Sequence, residues 1–136
     1  MKQDPEYLRK LLDTLQASPS PWPRIGYLEA SGIEPDEQML FHLQLLNDGG
    51  FVQSMDDDSA FGFEEVCDEF CYRDVSLRLT AQGHEFIEAL DKQEIWDVVK
   101  GQFKGASLKT LFTVSRAMLD GYARETLKKH VGNIKL

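Results

Sequence analysis

The sequence predicts an α+β fold: a small helix-and-strand body followed by a helical C-terminal extension. Three stretches carry that expectation. "LFHLQLLNDGGFVQ" at 40–53 reads as a helix stopped by a double glycine and turning into a strand. "VSLRLTAQGHEFI" at 75–87 alternates apolar and polar residues and then changes to helical spacing. "SLKTLFTVSRAML" at 107–119 opens a long amphipathic helix. The expected units are residues 1–90, the body, and 91–136, an extension packing on it.

In chain order, "DPEYLRKLLDTLQ" begins with Asp4 as N-cap and Pro5 at the first helical position, where its missing N–H costs nothing. Tyr7, Leu8, Leu11, Leu12 and Leu15 form one apolar face. "SPSPWP" at 18–23 ends that helix, and Trp22 between prolines reads as a buried anchor for the loop. "RIGYLEASGI" at 24–33 fits a short strand or a turn. Pro35 and Asp36 start a second helix with Met39, Leu40, Leu43 and Leu46 inward, and Asn47–Gly50 stop it. "FVQSM" at 51–55 is a strand and "DDDS" at 56–59 a solvated turn. Residues 60–74 fit a short helix through Val66, Cys67 and Phe70, or irregular strands, nearly equally.

From Val75 the pattern is plain. Val75, Leu77 and Leu79 alternate with Ser76 and Arg78, and Thr80 caps a helix whose inner face is Phe86, Ile87 and Leu90. That helix runs on or restarts near Asp91, through Ile95, Trp96, Val99 and Phe103. Ser107 caps the last helix, to about Val131. Leu108, Leu111, Phe112, Ser115, Met118, Leu119 and Tyr122 share its broad apolar face, with Lys109, Arg116, Arg124 and Lys128 mostly away from it.

Composition bounds the function. The 42% hydrophobic and 28% charged content is that of an ordinary globular domain. No apolar run is long enough for a transmembrane helix, and the polar start "MKQDPEYLRK" is no signal peptide. With only two cysteines, a cytoplasmic setting is expected and no membrane partner. The net charge of −8 is unevenly distributed. Residues 1–90 hold 6 Lys/Arg against 18 Asp/Glu, a net of −12, whereas 91–136 hold 9 against 5, a net of +4. An acidic body of this kind is repelled by phosphate unless a local basic patch overrides it.

The order helix, loop, helix "DEQMLFHLQLLNDGGF", strand, wing, strand "LRLT", helix "AQGHEFIEAL" resembles the winged helix-turn-helix of bacterial regulators, where "HL.LL...G" and "LT..G..F" recur at this placement. More narrowly, the chain resembles a small bacterial and prophage family of uncharacterised function. A start like "MKQDPEYLRKLL", then "HLQLLNDGGF", "LTAQGHEFIEAL", "IWDVVK" and "SLKTLFTVSRAML" carry that resemblance. It implies a winged helix and no established activity, so no catalytic residue is carried over from it.

The candidate contacts with DNA or a partner are Gln38, His42, Gln44 and Asn47 on the second helix and Lys109, Arg116, Arg124 and Lys128 on the last. Gln38, Gln44 and Asn47 are of types that hydrogen-bond base edges. Against DNA, no Lys or Arg stands between residues 25 and 72, and the turn that would approach phosphate is Asp56-Asp57-Asp58. No metal site is expected. Asp57, Ser59, Gly62 and Asp68 fall at positions 1, 3, 6 and 12 of a calcium loop, but Phe61 stands at position 5 and no glutamate closes it. Cys67 and Cys71 lack enough histidine partners for zinc and read as buried or half-buried thiols. His84-Glu85 and His42 are the acid/base candidates, with no phosphate loop or nucleophile motif beside them, so neither an enzyme nor a cofactor is expected.

The expectation is therefore a non-catalytic module working through protein contacts, on its acidic surface or its last helix. A sequence-specific DNA-binding regulator is the alternative, and an acidic mimic of DNA is a third reading. The apolar face of the last helix fits packing on residues 81–103, or that packing together with a symmetric homodimer.

Overall fold

A computed structural model describes residues 1–56 and 58–131, so Asp57 of the acidic turn and residues 132–136 of the extension lie outside the described residues. Among the described residues the fold is mixed α+β, with six helices and two small antiparallel sheets. Its elements are α1 (Pro5–Gln16), α2 (Ile25–Ala30), α3 (Glu37–Asp48), β1 (Val52–Ser54), β2 (Phe63–Val66), β3 (Glu69–Tyr72), β4 (Leu77–Leu79), α4 (Ala81–Leu90), α5 (Gln93–Gln102) and α6 (Leu108–Val131).

Helix α1 starts where its caps direct: the Asp4 carboxylate accepts the Glu6 N–H at 3.0 Å, with Pro5 in the first turn. Leu8, Leu11, Leu12 and Leu15 are buried, each worth roughly 1.5–3 kcal/mol over an exposed side chain. Residues 25–30, expected as strand or turn, are helical instead, with Ile25 and Leu28 fully buried. Six residues carry too few apolar positions to show a period. The strand-like character sits just upstream: Leu77 N–H donates to the Pro23 carbonyl and Ile25 N–H to the Val75 carbonyl, closing an Arg24–Ser76 bridge on the free edge of β4. Trp22 is 55% exposed and does not anchor its loop; the serine hydroxyls of Ser18 and Ser20 hold that turn by local hydrogen bonds.

Helix α3 is capped by Asp36, whose carboxylate accepts the Met39 N–H at 3.0 Å. At its end Gly50 takes the left-handed conformation (φ 79°), the Phe51 N–H reaches back to the Leu46 carbonyl at 2.8 Å and the Gly50 N–H to that of Asn47. Met39, Leu43 and Leu46 are buried as expected, while Leu40 is only half-buried.

Strand β1 pairs with β4 in the register Val52↔Leu79, Gln53↔Arg78, Ser54↔Leu77. Residues 63–72 form a hairpin, β2 on β3, rather than a helix. Its two-residue turn is Cys67-Asp68, both left-handed (φ 52° and 64°), the conformation that twists correctly between antiparallel strands. Both cysteines are exposed, correcting their reading as buried thiols, and Val66 is exposed as well. The hairpin rests on the body through Phe63, whose ring stacks on Phe70 at 5.1 Å.

Thr80 joins the halves. Its N–H donates to the Phe51 carbonyl, its hydroxyl donates to the Gly50 carbonyl at 2.6 Å, and the same oxygen accepts the Gly83 N–H at 3.0 Å. The helices break at Asp91 and restart as α5, where Trp96 lies under the Arg9 guanidinium, 4.6 Å from its ring centre. Ser107 accepts the Thr110 N–H, and α6 packs on α4 and α5. Leu108, Leu111 and Ser115 are buried, and Phe112, Met118, Leu119 and Tyr122 half-buried; from Ala123 to Val131 every residue is exposed. Ile95, Trp96, Val99, Leu108 and Leu111 belong to the same hydrophobic cluster as α1 and α3, so one core serves both body and extension.

Gly83 sets how closely α4 approaches β1. A Cβ there would collide with the Phe51 carbonyl oxygen and come within 2.8 Å of Leu79 Cδ2. Gly83→Ala is therefore expected to destabilise by about 1–3 kcal/mol despite the better helix propensity of alanine. Urea denaturation checks this through a lower midpoint at unchanged slope.

Candidate functional site

The outward face of α3 and the β2–β3 hairpin are the two distinctive acidic surfaces, and the Gln44 amide links α3 to the loop before the hairpin. Positions 39–46 hold six apolar residues in eight, more than one buried stripe can absorb. The surplus lies at the edge of the core: Leu40 and Leu45 are half-buried and packed against it, and Phe41 is half-buried near the exposed Glu37, Gln38 and Asp48. The hairpin adds the exposed carboxylates Glu64, Glu65, Asp68 and Glu69. Half-exposed apolar side chains set among acids suit a protein partner better than a phosphate backbone.

The residues singled out from sequence separate on the structure. Gln38 is exposed on this face. Gln44 is half-buried, and its side-chain amide donates to the Ser59 carbonyl at 3.1 Å, tying α3 to the loop before β2. Asn47 lines a polar hollow of about 510 Å³ with Gln53, Ser54, Asp58 and Arg78. Arg78, the cation in that hollow, donates to Gln53 Oε1 at 2.9 Å.

His42 does not belong to any contact surface: it is 1% exposed, and its role is internal. Its Nε2 accepts the Asp4 N–H at 3.0 Å, which places the ring proton on Nδ1, donating to the Gln38 carbonyl at 2.7 Å. Tyr7 packs on the ring at 4.5 Å. A histidine in α3 thus supplies the acceptor for the start of α1, and "FHLQ" carries no local signal of that partner 38 residues upstream.

The four C-terminal cations also divide. Arg116 pairs with Glu85 at 2.9 Å across α4 and α6. Lys109 stands at the mouth of a cleft of about 620 Å³ lined by Leu45, Asp48, Phe51, Leu108 and Phe112, between the end of α3 and the start of α6. Arg124 and Lys128 are exposed on the second half of α6. The cleft itself was not read from sequence. Its signal was Phe51 and Phe112, aromatic residues just past the end of one helix and just inside the start of another.

The acidic turn is partly internalised. Asp58 accepts the Ala60 N–H at 2.9 Å and the Gly62 N–H at 3.0 Å, and pairs with Arg73 at 3.1 Å. These contacts, the Ala60 amide foremost, hold its carboxyl below the usual carboxylate range. His84 is exposed, its ring 3.2 Å from the Gln16 amide, with no nucleophile hydrogen-bonded to it among the described residues.

The described residues thus form an α+β domain with a glycine-stopped helix and an acidic hairpin. A family model described as a hypothetical protein (DUF2513) matches residues 2–109, and the chain belongs to that family. No curated protein and no solved structure is similar to the chain. No helix among the described residues is long and apolar enough to cross a membrane.

The buried His42 has a consequence for acid stability. Burial lowers its pKa below the ordinary 6.5, only partly opposed by the Gln38 carbonyl and by Asp4 and Asp36. The unfolded chain then binds more protons than the folded one just below pH 6.5, so stability falls as pH drops from 6.5 toward the folded pKa and is constant below it. Denaturation midpoints between pH 7 and pH 5 are expected to show that decline. In His42→Asn the overall stability should be lower but the decline through this window smaller.

Proposed function

We propose that this chain is a non-catalytic, winged-helix-like interaction module that binds a protein partner through the outward face of α3 and the β2–β3 hairpin. The observation that carries this reading is the surface itself: half-buried Phe41 and Leu45 among carboxylates, in a span from residue 25 to 72 that contains no Lys or Arg. The winged-helix part rests on element order. The Pro23–Ile25 segment bridges β4, β4 pairs β1, and the hairpin projects between β1 and β4, as a wing would. Two exposed, unpaired cysteines on the hairpin fit a reducing cytoplasm. Regulation, in a prophage or its bacterial host, would follow from which protein is bound.

DNA reading by α3 is the alternative that the element order favours and the charge opposes. A helix in the major groove needs neighbouring cations for phosphate, and Arg73 and Arg78 near the hairpin are already engaged by Asp58 and Gln53. Charge reversal separates the two. Glu37 and Glu65 are exposed, so a Glu37→Lys, Glu65→Lys double variant should fold normally. The immobilised wild type is expected to retain a host protein that the variant loses, and neither should hold a random duplex pool at about 50 mM salt. Tight, salt-sensitive duplex retention by the wild type, or identical proteins on both columns, would overturn the reading.

A further inference from the structure

We propose that the hollow between the proline turn at 18–23 and the start of α4 binds a small phosphate monoester, with Arg78 as its principal anchor. Residues 1–90 carry four arginines among 18 Asp/Glu. Arg9, Arg24 and Arg73 each pair with an aspartate. Arg78 alone of the four has no carboxylate partner among the described residues. Its Nη1 donates to Gln53 Oε1 at 2.9 Å, a neutral acceptor that takes one N–H and leaves the charge uncompensated. Asp58, across the polar hollow that Arg78 also lines, is already held by Arg73. Arg78 is half-buried, so water and salt screen it less than they screen an exposed cation, and an oxyanion there gains a charge-assisted hydrogen bond.

The lining of this hollow, about 450 Å³, sets the chemistry of its ligand. Arg78 and His84 both border it, and among the described residues no carboxylate does. The Gln16 amide nitrogen, 3.2 Å from His84 Nδ1, can only donate, so Nδ1 accepts and the ring proton sits on Nε2. Ser20 accepts the Trp22 N–H at 3.1 Å through its hydroxyl oxygen, which leaves the hydroxyl proton to donate elsewhere. Guanidinium, imidazole and hydroxyl thus offer separate donors from β4, α4 and the turn. Such a set matches the three terminal oxygens of a phosphate ester better than the two of a carboxylate. One arginine and one histidine suit a single phosphate, not the string of phosphates along a duplex.

The proline turn decides what else fits. Leu15, Pro19, Pro21, Pro23 and Leu79 form the apolar part of the wall. Three of these are prolines with φ fixed by their rings, so that part of the wall is set before a ligand arrives and loses little entropy on contact. Trp22, 55% exposed, does not line the hollow and leaves its space open. The space beyond one phosphate therefore suits a small apolar group, and the ligand is an aryl or alkyl phosphate.

The hollow shares no residue with the outward face of α3 or the hairpin, so its test leaves the partner reading untouched. Amide and arginine side-chain chemical shifts of the purified full chain are followed as phenyl phosphate, inorganic phosphate, benzoate or phenol is added. Phenyl phosphate should give saturable shifts at Ser20, Arg78 and His84 at millimolar concentration or below. Inorganic phosphate and benzoate should bind the same residues more weakly, and phenol should leave them unmoved. Arg78→Gln should weaken phenyl phosphate at least about tenfold and His84→Ala about threefold. Arg24→Gln, at an arginine outside the hollow and paired with Asp74, should leave the affinity unchanged. His84 is exposed, so His84→Ala carries the test even where Arg78→Gln fails to fold. No saturable shift with phenyl phosphate, equal affinity for benzoate or phenol, or binding indifferent to His84→Ala would each overturn the inference. Tighter binding of a short DNA duplex at these residues would overturn it as well, assigning the hollow to nucleic acid.

Discussion

Phe51 is the residue on which the rest of the structure depends. It follows the glycine stop of α3, so its direction is set by the Gly50 left-handed turn and by its N–H on the Leu46 carbonyl. Its ring lies 5.2 Å from Phe86 of α4 and 5.0 Å from Phe112 of α6, and those two are 5.5 Å apart. Its carbonyl accepts from Thr80 and is approached so closely by Gly83 that no side chain fits there. Three helices, α3, α4 and α6, are therefore held by one side chain and one peptide group. Aromatic clusters of this size dominate small cores, because each ring buries a large area at little entropic cost.

This dependence explains which parts of the fold were legible in the sequence. Asp4, Asp36, Thr80 and Ser107 were readable as caps because a cap is satisfied within three residues of itself. The stop at Gly49-Gly50 and the alternation at 75–79 are local in the same way. Failures came where the deciding partner is distant. Helix α2 is held by Leu28 in the core and by the Val75 carbonyl on the Ile25 N–H. His42 is committed by the Asp4 amide, and an exposed polar role was the natural reading without it. The hairpin was hidden by its turn residues, since Cys-Asp in two left-handed positions lacks the Asn-Gly chemistry that announces such a turn.

The candidate surface was half legible. Charge separation between residues 1–90 and 91–136 is a property of the sequence alone, and the exposed acids of α3 and the hairpin lie where that bookkeeping expects them. What composition does not distinguish is an acid facing water from one consumed inside. Asp58 is drawn onto two amides and paired with Arg73, and Asp36 and Asp4 turn their carboxylates to the amides they cap. The exposed acids that remain are Glu37 and Asp48 on α3 and the four hairpin carboxylates, with Phe41 and Leu45 half-buried on α3. The chemistry of the candidate surface is narrower than the net charge implies: a patch with apolar anchors as well as charge, which demands shape from its partner and not only opposite sign.

Helix α6 stands in a different relation to the family. The matched region ends at Lys109, the second residue of α6, so the family pattern covers the Phe51–Phe86 contact but not Phe112, the third ring of the cluster. Physically the first four turns of α6 are still core: Leu108 and Leu111 are buried beside α4 and α5. The last nine residues are not. The first part of the helix completes the core, and the second projects from it with Leu127 and Val131 exposed. Packing alone accounts for the first. Leu127 and Val131, exposed one turn apart, lie outside the hydrophobic cluster that Leu108 and Leu111 join.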